Sequence, residues 1–312
     1  MLVRRGAASA VTALLATLVV FLLVRAVPGD VVQQMLGQTD DPAAARSLRA
    51  FFGMDRPLHL QYWDWLWAAL HGDLGSSWVS GHPVSGMVGR ALLVTLELTF
   101  LTLLTATLIG VPLGLIAGIR EGRWADSVIQ SASVVGLSAP IFWLGVMLLI
   151  GVSAVFGWSP PLEYQSPVES FGANLQMMVL PVLSLSMLQA AAYAQFVRQA
   201  VASATREQYV VTVRAKGLPE RLVLFKHILR NILVQLITFK GLLVIQILGG
   251  AVVIESVFAL PGLGRLLLTA INGRDYPVVQ GGLLVVVVMA LLVNLTVDVL
   301  YRAIDPRLKA GG

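Results

Sequence analysis

Long apolar stretches without charged residues recur along the chain. A membrane-spanning helix needs about 20 mostly apolar residues, and a charge at the bilayer centre costs about 2.5–3.5 kcal/mol. We therefore predict one spanning helix for each stretch, six in all. The stretches run over 6–24, 98–119, 127–162, 170–197, 276–297 and about 231–257, the last interrupted by Lys240 before Glu255.

The stretch at 127–162 is long enough to raise the question of a second span. Gly157, Pro160 and Pro161 stand near its end, and glycine and proline are the residues that most often interrupt helices. We assign this stretch one span.

The predicted fold is an all-α membrane protein that forms a single transmembrane domain over residues 1–312. Its parts are a first span at 6–26, an outside loop at 28–89, a five-helix core at 91–303 and a cytoplasmic tail at 304–312. Within the core, the cytoplasmic loop at 199–230 separates the fourth span from the fifth.

The composition agrees with a membrane protein. The 312 residues are 57% hydrophobic and 12% charged, whereas soluble globular proteins carry about 25% charged residues. So few charges exclude a disordered chain, a coiled coil and a soluble enzyme. The chain has no cysteine, which excludes thiol nucleophiles, disulfide scaffolds and cysteine metal sites.

The distribution of basic residues predicts the orientation. With the N-terminus inside, 14 of the 22 lysines and arginines fall on cytoplasmic segments and 6 on outside segments, as the positive-inside rule requires. Both termini are therefore expected in the cytoplasm, and the net charge of +5 reflects topology and not nucleic-acid binding. A cleaved signal peptide is the alternative for the N-terminus, but its apolar run of 19 residues exceeds the usual length of about 7–15.

The outside loop is rich in tryptophan. It holds four of the seven tryptophans, Trp63, Trp65, Trp67 and Trp78, and tryptophan concentrates at membrane interfaces. The loop is expected either to lie on the outer membrane surface, in contact with lipid, or to dock an external partner. The candidate docking residues are Trp63, Gly72, Asp73 and Gly75. The last three belong to a Gly-Asp-Leu-Gly sequence, which is equally typical of an ordinary turn without a docking role.

The cytoplasmic loop at 199–230, called the knuckle below, carries signals for two short helices. Thr205 and Gln208 fit a capping box that would start a helix at Arg206. Gly217 fits a left-handed C-terminal stop, and Pro219 fits the start of a second helix. A loop that merely joined two spans would not require two helices and a sharp corner.

Several kinds of catalytic site are missing from the sequence. Gly-Lys occurs nowhere, so the chain lacks the usual phosphate-binding loop for ATP. The four histidines, at 59, 71, 82 and 227, have no metal-ligand spacing, and no nucleophile elbow is present. We expect no catalytic residue, no metal site and no cofactor bound by this chain.

Ionisable residues inside predicted spans are hypothetical functional sites. The candidates for a translocation pathway are Glu97, Lys240, Glu255 and Asp298. Lys240 could contact a substrate carboxylate; alternatively, Glu97 or helix carbonyls could satisfy it. A proton relay through these residues would instead indicate a secondary transporter.

A series of short motifs carries a family likeness. The chain resembles the inner-membrane permease subunits of bacterial ABC importers for dipeptides, oligopeptides and nickel, specifically the first of their two paired permeases. The motifs include Pro28-Gly29-Asp30, Gly53-Met54-Asp55-Arg56-Pro57-Leu58, Gly72-Asp73-Leu74-Gly75, Thr95-Leu96-Glu97-Leu98, Ser138-Ala139-Pro140, Arg214-Ala215-Lys216-Gly217-Leu218, Pro261-Gly262-Leu263-Gly264 and Asp305-Pro306-Arg307.

The resemblance implies a type I importer transmembrane domain in the bacterial cytoplasmic (inner) membrane. Its knuckle would carry the coupling helix that docks on an ATP-binding subunit. The usual acidic-alanine-alanine opening of that pattern falls here on Val211-Thr212-Val213, which is a departure. The coupling residues implied are Tyr209, Val210, Thr212, Arg214, Ala215, Lys216, Gly217, Leu218 and Pro219.

The resemblance also implies the partners. These are a second, homologous permease that completes a heterodimer, two ATP-binding subunits that hold ATP and Mg, and a periplasmic or lipid-anchored substrate-binding protein. The expected function is ATP-driven import of short peptides. The alternatives are import of nickel or a metal chelate by the same family and, less favoured, proton-coupled secondary transport.

Overall fold

A computed structural model describes residues 2–26, 32, 36, 41–161 and 163–304. At 2–10, 298 and 301–304 the description covers the backbone. The Pro28-Gly29-Asp30 motif and the predicted tail from Asp305 onward lie outside the described residues.

The described chain is helical apart from turns and an isolated antiparallel bridge between Ser76 and Pro83. A π-helix occupies Val223–Leu229. The α-helices are α1 (Leu2–Ala26), α2 (Pro42–Phe51), α3 (Leu58–Leu70), α4 (Val84–Ile119), α5 (Trp124–Ser138), α6 (Ile141–Phe156), α7 (Phe171–Thr205), α8 (Gln208–Ala215), α9 (Glu220–Leu222), α10 (Arg230–Val257), α11 (Leu263–Asn272) and α12 (Tyr276–Ile304).

Four helical segments of the described chain are long and apolar enough to cross a membrane. They are α4, α7, the run Glu220–Val257 and the part Tyr276–Val297 of α12. The bent pair α5–α6 is a fifth candidate, and α1 contains the shorter apolar segment Val11–Ala26. The all-α membrane fold is thus confirmed. The count of six spans and the cytoplasmic side of both termini stay predictions.

The third predicted span is broken. Helices α5 and α6 meet at an angle of 101°, with Ala139 extended (ψ 131°) and Pro140 capping α6. Proline lacks a backbone N–H and disfavours the helical conformation in the residue before it. The Ser138-Ala139-Pro140 motif therefore ends one helix and begins another, where hydrophobicity alone predicted a continuous span.

A row of glycines brings α4 and α7 into close contact. Gly110, Gly114 and Gly118 repeat every four residues and so share one face of α4. A β-carbon at Gly110 would lie 2.7 Å from the Ala190 carbonyl oxygen, and one at Gly118 would lie 2.7 Å from the Val201 β-carbon. Small residues at this spacing let spanning helices approach each other closely. Such packing is needed because the hydrophobic effect does not drive helices together in lipid.

The same contacts give the relative direction of α4 and α7. Gly110 faces Ala190, Gly114 faces Ala194, and Gly118 faces Arg198 and Val201. Because the residue numbers at these contacts increase in the same direction along both helices, α4 and α7 run parallel. The chain must therefore return through α5 and α6 to the end of the bundle where α7 begins.

The chain divides into two compact units. The first comprises Met1–Leu93 and Leu266–Leu292, and the second comprises Val94–Arg265 and Val293–Gly312. In the first unit, Phe21 of α1 packs against Tyr62 and Trp65 of α3. The single-domain boundaries drawn from the sequence stay a prediction.

The second unit has two buried apolar clusters. One joins α4, α7 and α10 through residues such as Leu98, Leu185 and Ile254. The other, called the knuckle cluster below, fixes the knuckle to α7 and α10. Its buried members are Tyr193, Val197, Val201, Ala204, Val210, Val223, Ile228, Ile232, Leu236 and Leu243.

The glycine row predicts a specific loss of stability. In Gly114→Ala, the new β-carbon would lie 2.6 Å from both the Ala194 carbonyl oxygen and the Val197 β-carbon. Such overpacking costs about 1–3 kcal/mol, so we expect a lower Tm for the purified protein in nanodiscs. Gly151→Ala is the matched control, because Gly151 is also helical but a β-carbon there would have no atom within 4 Å. An equal or raised Tm for Gly114→Ala would contradict the packing argument.

Candidate functional site

The knuckle connects α7 to α10, and its first short helix is α8. The predicted start of this helix is wrong. Helix α7 continues through Thr205, whose hydroxyl donates to the Ala202 carbonyl at 2.8 Å and does not cap a helix. Because Val201 and Ala204 are buried in the knuckle cluster, packing extends α7 as far as Thr205, which is therefore the last residue of α7 and not an N-cap. Helix α8 begins at Gln208 with Glu207 as its N-cap.

The predicted corner after α8 is confirmed. Helix α8 ends at Ala215, and Gly217 has φ +78°, the left-handed conformation that glycine adopts at least cost. Pro219 is extended and caps α9, with Glu220 in its first turn. The exposed side chains of Arg214 and Glu220 form an ion pair at 2.8 Å across the corner.

The inner side of α8 is packed against the spanning helices. Val210 is 0% exposed within the knuckle cluster. The hydroxyl of Tyr209 accepts a hydrogen bond from the Asn231 amide at 3.0 Å, and Leu218 packs on the cluster from beyond the corner. A displacement of α8 must therefore move the ends of α7 and α10 with it.

The outer side of α8 is exposed. Val211 is 58% exposed, and Thr212, Ala215 and Lys216 are exposed as well. These exposed side chains include one basic residue, Lys216, and one large apolar residue, Val211. The structure thus separates the sequence-predicted coupling residues into a buried set that anchors α8 and an exposed set that is free to contact another molecule.

The π-helix that follows α9 was not anticipated from the sequence. Residues Val223–Leu229 wind more widely than an α-helix and lead directly into α10. Val223 and Ile228 point into the knuckle cluster, whereas Phe225 is exposed. Short π-helical turns often occur at functional sites; here the turn joins the corner to a spanning helix.

Two ion pairs join the C-terminal part of α7 and its C-cap Arg206 to the first turn of α5 and to the turn that precedes it. Arg198 donates to both carboxylate oxygens of Asp126, at 2.5 and 2.8 Å, and these side chains are 20% and 5% exposed. The Gly122 amide also donates to Asp126 at 2.9 Å. The second pair, between Arg206 and Glu121 at 2.8 Å, is far more exposed. The buried pair sets the position of the α7 end from which the knuckle projects.

A polar cavity of about 570 Å³ lies beside the knuckle. Its polar lining side chains include Gln199 and Ser203 of α7 and Asn231 and Gln235 of α10. On each helix the two residues are one turn apart, so neutral hydrogen-bonding groups line both helical walls, and Glu207 adds a carboxylate to the lining.

The predicted pathway residues do not form one cluster in the described structure. Glu97 is half-buried and accepts a hydrogen bond from Tyr164 at 2.7 Å, and no ion pair joins Glu97 to Lys240 among the described side chains. Burial and the neighbouring Glu97 carboxylate raise the pKa of Tyr164 above its ordinary value. Glu255 is fully buried, and the side chain of Asp298 lies outside the described residues. A pathway role for these residues stays a prediction.

The predicted docking residues on the outside loop belong to the first unit. Gly72 and Gly75 have φ +83° and +81°, and Asp73 accepts a hydrogen bond from the Gly75 amide at 2.8 Å, so this segment is a tight turn. Trp63 on α3 is 61% exposed. A docking role for these residues stays a prediction.

Asp275, which lies just before α12, contacts this loop, and sequence reasoning missed the contact. Its carboxylate accepts hydrogen bonds from the Ser77 hydroxyl and, at 3.0 Å, from the Trp78 amide. The Trp78 ring packs between Phe52 and Tyr276. No local sequence pattern specifies this pairing, because Ser77 and Asp275 are 198 residues apart.

Family comparisons identify relatives over nearly the whole chain. The family described as binding-protein-dependent transport system inner membrane component matches residues 110–310, and its N-terminal family matches residues 1–99. A glutathione transport system permease protein of Salmonella choleraesuis is 38% identical over 298 residues, 96% of this chain and 95% of the relative. A putative peptide transport system permease protein of Brucella abortus is 35% identical over 309 residues, 99% of this chain and 98% of the relative.

Solved structures agree on the fold. The MetNI methionine ABC transporter, in an inward-facing conformation, has a chain that matches with a TM-score of 0.55 and 19% identity, over 70% of this chain and 96% of that one. An amino acid ABC transporter crystallised with histidines matches with a TM-score of 0.54 and 18% identity, over 72% of this chain and 94% of that one.

The two ion pairs at the end of α7 predict different losses of stability. Asp126→Asn leaves the Arg198 charge largely buried without its counter-ion, which costs about 3 kcal/mol. Glu121→Gln, the matched control, breaks an exposed pair that contributes less than about 1 kcal/mol. We expect a clear fall in Tm for the first variant and little change for the second. Equal Tm values for the two variants would show that Asp126 does not hold α7.

Proposed function

This chain belongs to the family of binding-protein-dependent transport system inner membrane components, and from that membership we propose that it forms half of an ATP-driven import pathway for short peptides. It is a multi-pass protein of the bacterial inner membrane. The single observation that carries the proposal is the α8 corner, an exposed short helix mounted by its buried side on α7 and α10.

The proposed partners follow from this arrangement. A second, homologous permease would complete the pathway, and two ATP-binding subunits would supply the energy and hold the ATP and Mg. A periplasmic or lipid-anchored binding protein would deliver the substrate to the outer side. This chain would act as a transport subunit without an ATP site of its own.

The proposed energy transfer begins at the exposed side of α8. ATP binding would draw the two ATP-binding subunits together and displace the α8 helices docked on them. Because the inner side of α8 is packed on α7 and α10, the displacement would tilt these helices and change which side of the membrane the pathway opens to. The energy enters as a difference in binding between the two states.

Two observations favour a short peptide as the substrate. One relative is described as a glutathione permease and another as a peptide permease, and glutathione is itself a short peptide. The polar cavity beside the knuckle presents the amides of Gln199, Asn231 and Gln235, which can both donate and accept hydrogen bonds, as a peptide backbone requires.

Uptake into proteoliposomes tests the proposal. We expect the complex of this chain with its permease, ATPase and binding-protein partners to accumulate labelled di- and tripeptides when ATP is supplied on the ATPase side. A proton gradient without ATP should give no uptake, and unlabelled peptide should compete where a nickel chelate does not. Uptake driven by the gradient alone would contradict the proposal, and competition by the chelate would reassign the substrate.

The corner at Gly217 predicts how coupling fails. Apart from its chain neighbours, no atom of this chain lies within 4 Å of the β-carbon position at Gly217, so within this chain a substitution there acts through the positive φ. Gly217→Val should abolish ATP-driven uptake while the complex still assembles, because a β-branched residue is strained in this conformation.

Gly217→Asn is the matched variant. Asparagine tolerates the left-handed region, so most uptake should remain. Loss of uptake in both variants, or in neither, would show that the backbone conformation at Gly217 is not what couples ATP hydrolysis to transport.

A further inference from the structure

The buried carboxylate of Glu255 forms a hydrogen-bonded node at the end of α10. Its side chain is 0% exposed. The Thr95 hydroxyl on α4 donates to Oε1 at 2.6 Å, and the Arg265 amide in α11 donates to Oε2 at 3.0 Å. The Leu263 amide in turn donates to the Thr95 hydroxyl at 2.8 Å. Three helices therefore meet at one carboxylate.

The hydrogen-bond partners given for this carboxylate among the described residues are all donors. The Gly264 amide also donates to it, so the carboxylate accepts from two successive amides and one hydroxyl. An ionised carboxylate is acceptor-only and suits this environment, and the amides of a helix's first turn favour a negative charge. Glu255 thus acts as a cap for α11, supplied from the end of α10.

The loop between α10 and α11 packs closely around the Glu255 carboxylate. A β-carbon at Gly262 would overlap the Glu255 carboxyl group. Ala259 has φ +55°, and the Arg265 guanidinium donates to its carbonyl. The Leu260 amide donates to the Glu255 carbonyl at 2.8 Å. The backbone of the Pro261-Gly262-Leu263-Gly264 motif therefore fits around this carboxylate.

The node and the knuckle lie at opposite ends of one helix. Helix α10 runs without interruption from Arg230, next to the π-helix, to Val257. Glu255 is therefore about 37 Å from Arg230 at 1.5 Å per residue. The same helix carries the Asn231 contact to Tyr209 at one end and the cap of α11 at the other.

We propose that Glu255 is a positioning residue that makes the start of α11 move together with α10 during transport, and not a contact for the substrate. The proposal rests on the proposed function for what the movement achieves. A substrate contact would need an accessible carboxylate, whereas both Glu255 oxygens are buried and engaged within the protein. Helix α11 starts at this node, so the knuckle acts on it through α10.

The first test measures the node itself and needs no substrate. Hydrogen–deuterium exchange of the complex in nanodiscs reports on the amides of residues 263–265. We expect these amides to be protected in the nucleotide-free state and equally protected when ATP and vanadate trap the other state. Glu255→Gln should raise their exchange by at least about tenfold, the factor that corresponds to about 1.4 kcal/mol. Loss of protection in the trapped wild type would overturn the proposal.

The second test separates positioning from substrate contact. In the reconstituted complex, Glu255→Gln should lower the kcat of peptide uptake about tenfold, with an unchanged KM and preserved basal ATPase activity. Thr95→Val should have the same effect, and Thr95→Ser, which keeps the hydroxyl, should restore most of the kcat. Glu169→Gln is the control, since Glu169 is exposed and bonds Ser166 in its own loop.

The outcomes are distinguishable. A raised KM with an unchanged kcat would make Glu255 a substrate contact and overturn the proposal, as would faster exchange without any change in kcat. A wild-type complex that takes up no peptide would contradict the proposed function instead. In that case the exchange measurement in the two nucleotide states still decides the role of Glu255.

Discussion

The contact between α4 and α7 is the constraint on which the rest of the second unit depends. Inside a bilayer, burial of apolar surface does not drive helices together, so stability must come from close packing. The glycines at 110, 114 and 118 supply it by removing every β-carbon that would separate the two helices. Because α7 is held along this face, its C-terminal part has a defined position, and the Arg198–Asp126 pair fixes this part to the first turn of α5. The knuckle projects from a rigid base.

A rigid base makes the knuckle suitable for transmitting force. Val210 is buried in the knuckle cluster. At the corner, Gly217 adopts a positive φ, and the Arg214–Glu220 ion pair bridges the two sides. Pushing on such a helix displaces its supports and does not deform it. Helix α10 spans 28 residues and carries Glu255 near its far end, so a single helix joins the knuckle to the Glu255 node.

Some features of this structure could be predicted from the sequence, and others could not. The spacing of charges indicates the apolar spans because each charge has a large cost inside the bilayer, and Gly217 with Pro219 specifies the corner because both residues restrict the backbone locally. The start of α8 was wrong because tertiary packing extends α7 over a local capping signal at Thr205. The Glu255 node and the Asp126–Arg198 pair could not be predicted, since their partners are distant in the sequence and a lone carboxylate in an apolar stretch fits a pathway equally well.

The central claim is that the exposed side of α8 is where an ATP-binding subunit docks. The chain contains no cysteine, so single cysteines can be introduced at Thr212, Ala215 and Lys216 and their labelling by a maleimide measured without background. We predict that adding the ATP-binding subunits will slow labelling at these three positions, while a cysteine at Ser256, an exposed position at the other end of α10, will react at an unchanged rate. Equal labelling rates at the three α8 positions with and without the ATP-binding subunits would contradict the account.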